Sequence, residues 1–326
     1  MQGLDGSILL IHHWDTDGLC SASLILDALR REDVETWTPF LGTFSLTKTD
    51  IAWAQSFDSV LICDMALPAR NVEEIAEKTR VIMFDHHHQE PIDGIKHVNP
   101  VSAGASGDEY PSCTWVIREH FDLPVSLRIV LGYVGDREQK IKDNPRFWGL
   151  TQGFMEKEGL GFDELLEMVR RIDSSYNVGD REAVMRAPHI LRGCNGEKAV
   201  LDNVEWKRNL EKLEEKLAEV SSESPEVVDG IQVKRLDTPY AIISQVTRRL
   251  AWNTGKDTIV LNTGFFKDQD QLYSRSNIVD MHHLIELAKK HGYNAGGKKD
   301  VIGAIIPKKD TEKFLAETID YIKKNR

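Results

Sequence analysis

The chain has no run approaching the ~20 consecutive apolar residues that a bilayer-spanning helix needs, so no such helix is expected. Its first residues, Met1–Ser7, lack a basic stretch and a cleavage-type segment, so no secretory leader is expected and the location is read as cytoplasmic. Cysteine is scarce: Cys20, Cys63, Cys113 and Cys194, none in a CxxC pair. That excludes a disulfide framework and a cysteine zinc site, and it predicts small buried residues in a reducing compartment. Basic charge is also short. Lys and Arg number 41 against 52 Asp and Glu, a net charge of −11. A general nucleic-acid coat protein, which must neutralise many phosphates, is excluded. No internal repeat or low-complexity tract stands out.

What is present is globular. Hydrophobic residues make up 41% and charged residues 29% of 326 positions, enough for about two domains. The charge is uneven. Pro225–Arg326 holds 17 basic and 13 acidic side chains, and the remainder holds 24 and 39. An acidic front with a mildly basic back suits metals in one domain and phosphates on the other.

Short continuous apolar runs at Ser7–His13, Ser59–Asp64 and Arg80–Asp85 alternate with helical spacing at Leu19, Ala22, Leu26 and Leu29 and at Asn71–Lys78. This predicts an α/β fold with a parallel sheet and helices on both faces. Gln139–Gly196 reads as charged helices that cap this domain or shape a channel. Asn203–Val220 predicts a long helix with a heptad seam at Trp206, Leu210, Leu213, Leu217 and Val220. The seam packs either on its own domain or on a second subunit. Beyond Pro225, strand-like runs at Ala241–Val246, Thr258–Asn262, Gln271–Ser274 and Val301–Ile306 predict a smaller α/β domain ending in the helix Phe314–Ile322. The expected division is therefore 1–200, a linker helix over 201–225, and 226–326.

Each early strand ends in ligand-type residues. The first runs into His12-His13-Trp14-Asp15-Thr16-Asp17-Gly18, the second into Asp64, and the third into Asp85-His86-His87-His88. Asp136 closes the apolar run Leu127–Val134. Ligands of open α/β sheets bind at the carboxyl ends of strands. Carboxylates crowded there repel one another unless a cation neutralises them. A single acid after a strand is usually a helix cap, but three successive strand ends of this kind exceed what capping accounts for. Mixed His and Asp donors without cysteine favour Mn²⁺, with Mg²⁺ as the other candidate. The density suggests two ions sharing a carboxylate, an arrangement suited to phosphoryl displacement.

His13-x-Asp15-x-Asp17-Gly18, Asp64, Asp85-His86-His87 and Asp136 after Gly135 resemble the four motifs of the DHH phosphoesterase superfamily over Ile8–Asp136. Tyr273-Ser274-Arg275-Ser276, Gly296-Gly297 and Ala304 resemble, more weakly, its DHHA1 substrate-binding domain, in which a Ser-Arg-Ser strand and a Gly-rich loop grip the substrate. Two departures are visible. The glycines are followed by Lys298-Lys299-Asp300 rather than a histidine. Ile11 stands where several relatives carry the first His, which makes His13 the ligand candidate and leaves His12 in the core or as a supporting group.

The resemblance implies His13, Asp15 and Asp64 for one ion, and Asp17, Asp64, His86 and Asp136 for the other, with Asp64 bridging. Asp85 would orient a histidine, and His87 would face the scissile phosphate. Ser274, Arg275, Ser276, Gly296, Gly297 and Lys298 would hold the neighbouring phosphate. Length, the compact first motif and the altered loop look most like archaeal RecJ-like proteins of the Hef-associated nuclease branch. That implies a Mn²⁺-dependent 3′ to 5′ exonuclease on single-stranded DNA, a DNA-repair helicase or nuclease partner, and a homo-oligomer, trimer before dimer. Tyr273, Tyr293, Phe265 and Phe266 are candidate stacking aromatics. The alternatives are an oligoribonuclease that is also a phosphoadenosine-phosphate phosphatase, a cyclic-dinucleotide phosphodiesterase, and a non-catalytic replication or repair scaffold. All matched acidic positions are filled, which weighs against the scaffold.

Overall fold

The computed structural model describes residues 4–194 and 196–326; the first residues of the Met1–Ser7 segment lie outside the described residues. The chain divides into two compact units, one holding Met1–Tyr176 and Asp180–Leu210, the other Asn177–Gly179 and Glu211–Arg326. Among the described residues no helix is long and apolar enough to cross a membrane.

The first unit runs β1 (Ile8–His12), α1 (Thr16–Leu29), β2 (Val34–Trp37), α2 (Lys48–Ala54), β3 (Ser59–Cys63), α3 (Ala69–Ala76), β4 (Arg80–Phe84) and β5 (Lys96–Val98). Helices α4 (Cys113–Phe121), α5 (Leu127–Arg137), α6 (Pro145–Glu158), α7 (Phe162–Asn177), α8 (Arg181–Gly193) and α9 (Glu197–Leu201) follow, and α10 (Val204–Ser222) runs from the first unit into the second after Leu210. The five strands are parallel in the order β2-β1-β3-β4-β5. Every residue of β1 and β3 is buried, as continuous apolar strands covered on both faces require. The chain steps from β1 one way to β2, then back past β1 to β3 and on to β4. Right-handed crossovers therefore put α1 on one face and α2 and α3 on the other. The contacts agree: α1 packs with α4, α5 and α8, and α2 packs with α3. The direction reverses between β1 and β3, and a crevice opens there at the strand ends.

The expected strands and helices of this unit are found to within two residues. Strands β2 and β5 have only four and three residues, too few to show a pattern. The segment after Gln139 caps the sheet: α8 packs on α1 and β2, and Leu165, Met168, Ile172, Val184 and Leu191 are buried. Cys20, Cys63 and Cys113 are buried free thiols.

The second unit contains β6 (Glu226–Val228), β7 (Ile231–Leu236), α11 (Ile243–Thr254), β8 (Thr258–Asn262), β9 (Gln269–Arg275), α12 (His282–Lys290), β10 (Asn294–Lys298), β11 (Val301–Pro307) and α13 (Thr311–Lys324). The sheet order is β10-β11-β9-β8-β7-β6, antiparallel except for the β7–β8 pair. Ala241–Val246, expected as a strand, instead leads into α11. A parallel pair needs a crossover of a dozen or so residues, and α11 supplies it by burying Ile243, Val246, Thr247 and Ala251 at helical spacing. The core gathers Ile231, Ile259, Leu272, Met281, Ile302 and Phe314.

Of the two readings of the heptad seam, packing within the chain is the one found. Trp206, Leu210, Leu213, Leu217 and Val220 are all buried within the single chain, so they do not present a face to a second subunit. Leu213→Ala should therefore lower stability by about 2–5 kcal/mol, read from urea unfolding, with the assembled mass by light scattering unchanged. A drop in mass at unchanged stability would return the seam to a subunit interface.

Candidate metal centre

The link from β1 to α1 delivers three candidate donors within five residues. His13 follows the strand. Asp15 is the helix N-cap, accepting the Gly18 N–H at 3.1 Å, as short oxygen side chains do there. Asp17 falls in the first turn and is fully buried. Gly18 is required: a Cβ there would lie 2.6 Å from His13 Cβ.

Asp64 follows β3 with a left-handed backbone, φ 57°, a conformation that costs most residues about 1 kcal/mol and that Asp tolerates better than most. Its N–H donates to the Phe84 carbonyl at 2.9 Å. One carboxylate oxygen, Oδ2, lies 3.8 Å from His13 Nδ1, and that nitrogen is 2.9 Å from Asp15 Oδ1. The other, Oδ1, lies 3.4 Å from His86 Nε2, which is 3.1 Å from Asp136 Oδ2 and 3.9 Å from Asp17 Oδ2. The structure thus brings His13, Asp15, Asp17, Asp64, His86 and Asp136 together, with Asp64 between two donor groups. His13, Asp15 and Asp64 form one set and Asp17, His86 and Asp136 another, each with donor atoms within 4.8 Å of one another.

Four candidates at these strand ends remain: Asp85, His87, His12 and His88. Asp85 is buried and accepts the backbone N–H groups of His86 at 2.8 Å and His87 at 3.3 Å, and its Oδ1 lies 2.8 Å from His87 Nδ1. That bond leaves the half-exposed His87 with Nε2 free to face outward. His87 is also within ligand reach of Asp64 and His86. His12 is buried, its Nδ1 2.7 Å from the His13 carbonyl. Burial outweighs that bond and lowers its pKa to about 4, so it is a neutral core histidine at the edge of the site. His88 is exposed and outside the cluster.

Other groups, not marked by the motifs, hold the acids in place. Both Asp17 oxygens accept N–H groups at the start of α4, from Cys113 at 2.6 Å and Thr114 at 3.0 Å, where the helix dipole favours an anion. Gly132 in α5 lets that helix approach: a Cβ would meet Thr114 Oγ1 at 2.1 Å and Asp17 Oδ1 at 2.5 Å. Asp173 of α7 accepts the Thr16 N–H at 2.8 Å and its hydroxyl at 2.7 Å, anchoring the helix start that carries Asp15 and Asp17. An acid interrupting the apolar face of Val169 and Ile172 was a usable sequence signal for Asp173; backbone N–H groups leave none.

Crowding sets the electrostatics. Burial, reinforced by Asp136, pushes Asp17 up to about 7. Burial and then Asp17 push Asp64 well above the carboxylate range. Burial would also raise Asp15, but His13 outweighs it and brings Asp15 down to about 2. For His86, burial lowers the pKa, yet the bond to Asp136 and its charge prevail and raise it to about 9. Protons hold the cluster together in the absence of cations. A donor set of aspartates and imidazoles around one shared carboxylate fits divalent cations that take mixed oxygen and nitrogen ligands.

Ser274, Arg275, Ser276, Gly296, Gly297 and Lys298 lie in the second unit. Ser274 is buried in β9. Arg275 Nη1 pairs with Asp300 Oδ2 at 2.7 Å, while its Nε has no hydrogen-bond partner among the described residues. Ser276 Oγ accepts the Val279 N–H at 2.9 Å. Gly296 and Gly297 are not a loop, as expected, but part of strand β10, paired with Gly303 and Ile302. Gly297 has φ 155°, and a Cβ there would lie 2.1 Å from the Val301 carbonyl oxygen. Lys298 is exposed at the strand end. Of the four stacking candidates Phe266 is buried, while Phe265, which meets it edge-on at 4.8 Å, Tyr293, 5.5 Å from Phe314, and Tyr273, beside Gly303, are partly exposed.

Residues 7–136 match the model of the DHH family, N-terminal domain, a span running from the start of β1 to Asp136. RecJ of Thermus thermophilus in complex with Mn²⁺ is similar in fold, with a TM-score of 0.64 and 18% identity over 95% of this chain. The chain spans about half, 51%, of that protein. An exonuclease RecJ bound to manganese gives 0.59 and 17%, covering 95% of this chain and 88% of its own. The pGpG-specific phosphodiesterase PggH of Vibrio cholerae gives 0.56 and 16%, covering 98% and 100%. No curated protein sequence matches the chain. At these identities the likeness is one of fold.

The pKa shifts set a pH dependence. From about pH 4 to 7 folded Asp17 keeps a proton that the unfolded chain has lost, and from about 6.5 to 9 His86 does the same. Between about pH 4 and 6.5 buried His12, neutral because its pKa is lowered to about 4, offsets the Asp17 proton, so cation-free protein should lose stability chiefly as pH rises from about 6.5 to 9, on the order of a few kcal/mol. Thermal melts after chelation should show the fall, Asp17→Asn should flatten it, and Mn²⁺ should stabilise more at pH 8 than at pH 6. A pH-independent melt would contradict the burial of these charges.

Proposed function

We propose that this chain, with its DHH-family N-terminal domain, is a divalent-metal-dependent phosphodiesterase, and that its substrate is single-stranded DNA degraded from the 3′ end. The observation that carries the reading is Asp64, whose two oxygens turn to separate groups of His and Asp donors. His13, Asp15 and Asp64 would hold one ion and Asp17, Asp64, His86 and Asp136 the other, with Mn²⁺ preferred. Cations bound there supply Lewis-acid polarisation of the phosphate and of the attacking water. Around them the chain does the positioning. Asp85 fixes the His87 ring through Nδ1, so Nε2 can donate to a phosphate oxygen or pass a proton to the leaving oxygen. Arg275 and Lys298 are proposed to hold a neighbouring phosphate, with Arg275 exchanging Asp300 for it.

The similarity to RecJ supports a nuclease acting on a strand. The 3′ polarity, the DNA-repair partner, the homo-oligomer and the cytoplasmic location rest on resemblance to archaeal RecJ-like proteins of the Hef-associated branch. A second reading, a phosphodiesterase of very short nucleotides, is supported by the likeness in fold to PggH, at a TM-score of 0.56.

An end-labelled digestion panel with Mn²⁺ separates the two readings by comparing DNA and RNA strands of several lengths with phosphoadenosine-phosphate and linear and cyclic dinucleotides. Shortening of long single-stranded DNA from its 3′ end is expected; turnover confined to dinucleotides would select the second reading. Asp17→Ala should lower turnover at least ~10³-fold with the circular dichroism spectrum unchanged. His87→Ala should lower it roughly 10²-fold with bound manganese retained. Loss of an ion in His87→Ala would make His87 a ligand.

A further inference from the structure

The loop between β2 and α2 places an open aromatic ring beside the metal centre. Phe44 is 46% exposed. Its ring lies nearly parallel to the His13 imidazole, 26° between planes and 5.6 Å between centroids, and 5.0 Å from the buried Trp14 indole. Trp14 in turn lies 4.2 Å from His13. Phe44 therefore caps a small stack that includes a proposed ligand, with part of its surface left to solvent.

The ring is held there by its neighbours. Leu41 and Leu46, on either side of it, are buried. The loop turns at Phe40–Thr43, where the Thr43 N–H donates to the Phe40 carbonyl at 2.8 Å and Gly42 supplies the positive φ of 81°. The Leu46 N–H donates to Asn71 Oδ1 at 2.9 Å. A loop that buries its leucines and exposes a phenylalanine between them presents that ring from a fixed frame.

Of the four aromatics expected to stack bases, all in the second unit, Phe266 is buried and the other three are partly covered, and the front of the chain is acidic, so charge does not draw a phosphate backbone to it. Stacking is the uncharged means of holding a single strand, because every base has a π-face.

We propose that the exposed face of Phe44 stacks on the nucleobase next to the scissile phosphate, positioning that phosphate over the metal centre. The proposal rests on the phosphodiesterase reading and adds a substrate-positioning residue to it. The occupant is a nucleobase, not a phosphate or a protein surface.

The test uses the full chain with Mn²⁺ and two sets of DNA strands, one natural and one with a tetrahydrofuran abasic residue at the last or penultimate position. Wild type should lose roughly tenfold in kcat/KM on one of the abasic strands, the size expected for one stacked base. Phe44→Ala should lose about the same on the natural strand and show no further loss on the abasic one. Phe44→Trp should restore the preference. A thymidine–2-aminopurine dinucleotide supplies a readout independent of turnover: its fluorescence should be quenched on binding wild type and not on binding Phe44→Ala. Equal losses for Phe44→Ala on both strands, or loss of bound manganese, would overturn the proposal and leave Phe44 as packing on His13. Wild type that discriminates against neither abasic strand would overturn it too. Wild type that neither binds nor cleaves any nucleotide would remove the phosphodiesterase reading itself, and the proposal with it.

Discussion

Four aspartates, Asp15, Asp17, Asp64 and Asp136, converge on a space a few ångströms across, and Asp17 and Asp64 are buried. Like charges so close cannot all ionise without compensation, and much of the first unit answers that constraint. The compensation is partly internal. Imidazoles from His13 and His86 sit among the acids, and the start of α4 supplies two N–H donors to Asp17. Burial, together with the repulsion that remains, pushes Asp17 and Asp64 up, which is how a site selects cations over protons as the solution becomes less acidic.

The topology makes the convergence possible. Parallel strands put their carboxyl ends on one edge, and the reversal of direction between β1 and β3 opens a crevice there. Residues after β1, β3 and β4 enter it from the sheet, while Asp136 enters from α5. That helix must come close, and Gly132 is where closeness is decided. The left-handed backbone of Asp64 belongs to the same requirement: a strand end that continued extended would not turn the carboxylate toward both neighbours.

The second unit follows other rules. Its sheet is mostly antiparallel, with one crossover helix serving the single parallel pair. Apolar runs identified β8, β9 and β11 from the sequence, but Ala241–Val246 misled, because β-branched residues at helical spacing resemble a strand when the stretch is short. The heptad seam of α10 left two readings open for another reason. Periodicity says that a helix has one apolar face and not what covers it, and here the chain itself covers it.

The sequence alone determined that this is an α/β chain whose early strands end in aspartate and histidine, because buried parallel strands are continuous apolar runs and the ligand-type residues stand directly after them. It also singled out His13, Asp15, Asp17, Asp64, His86 and Asp136 as one set. The division of that set around Asp64 was implied by the family resemblance; only the tertiary structure decided that Asp85 serves His87, that His12 is a neutral core residue, and that Asp173, Gly132 and the N–H groups of Cys113 and Thr114 support the cluster. It likewise decided that Phe44 is a partly exposed ring stacked on His13. The reason is physical. Strand ends are local and leave their mark in adjacent residues, whereas a carboxylate's partners, a helix's approach and a ring's exposure are set by segments as much as 157 positions apart, which no spacing along the chain encodes.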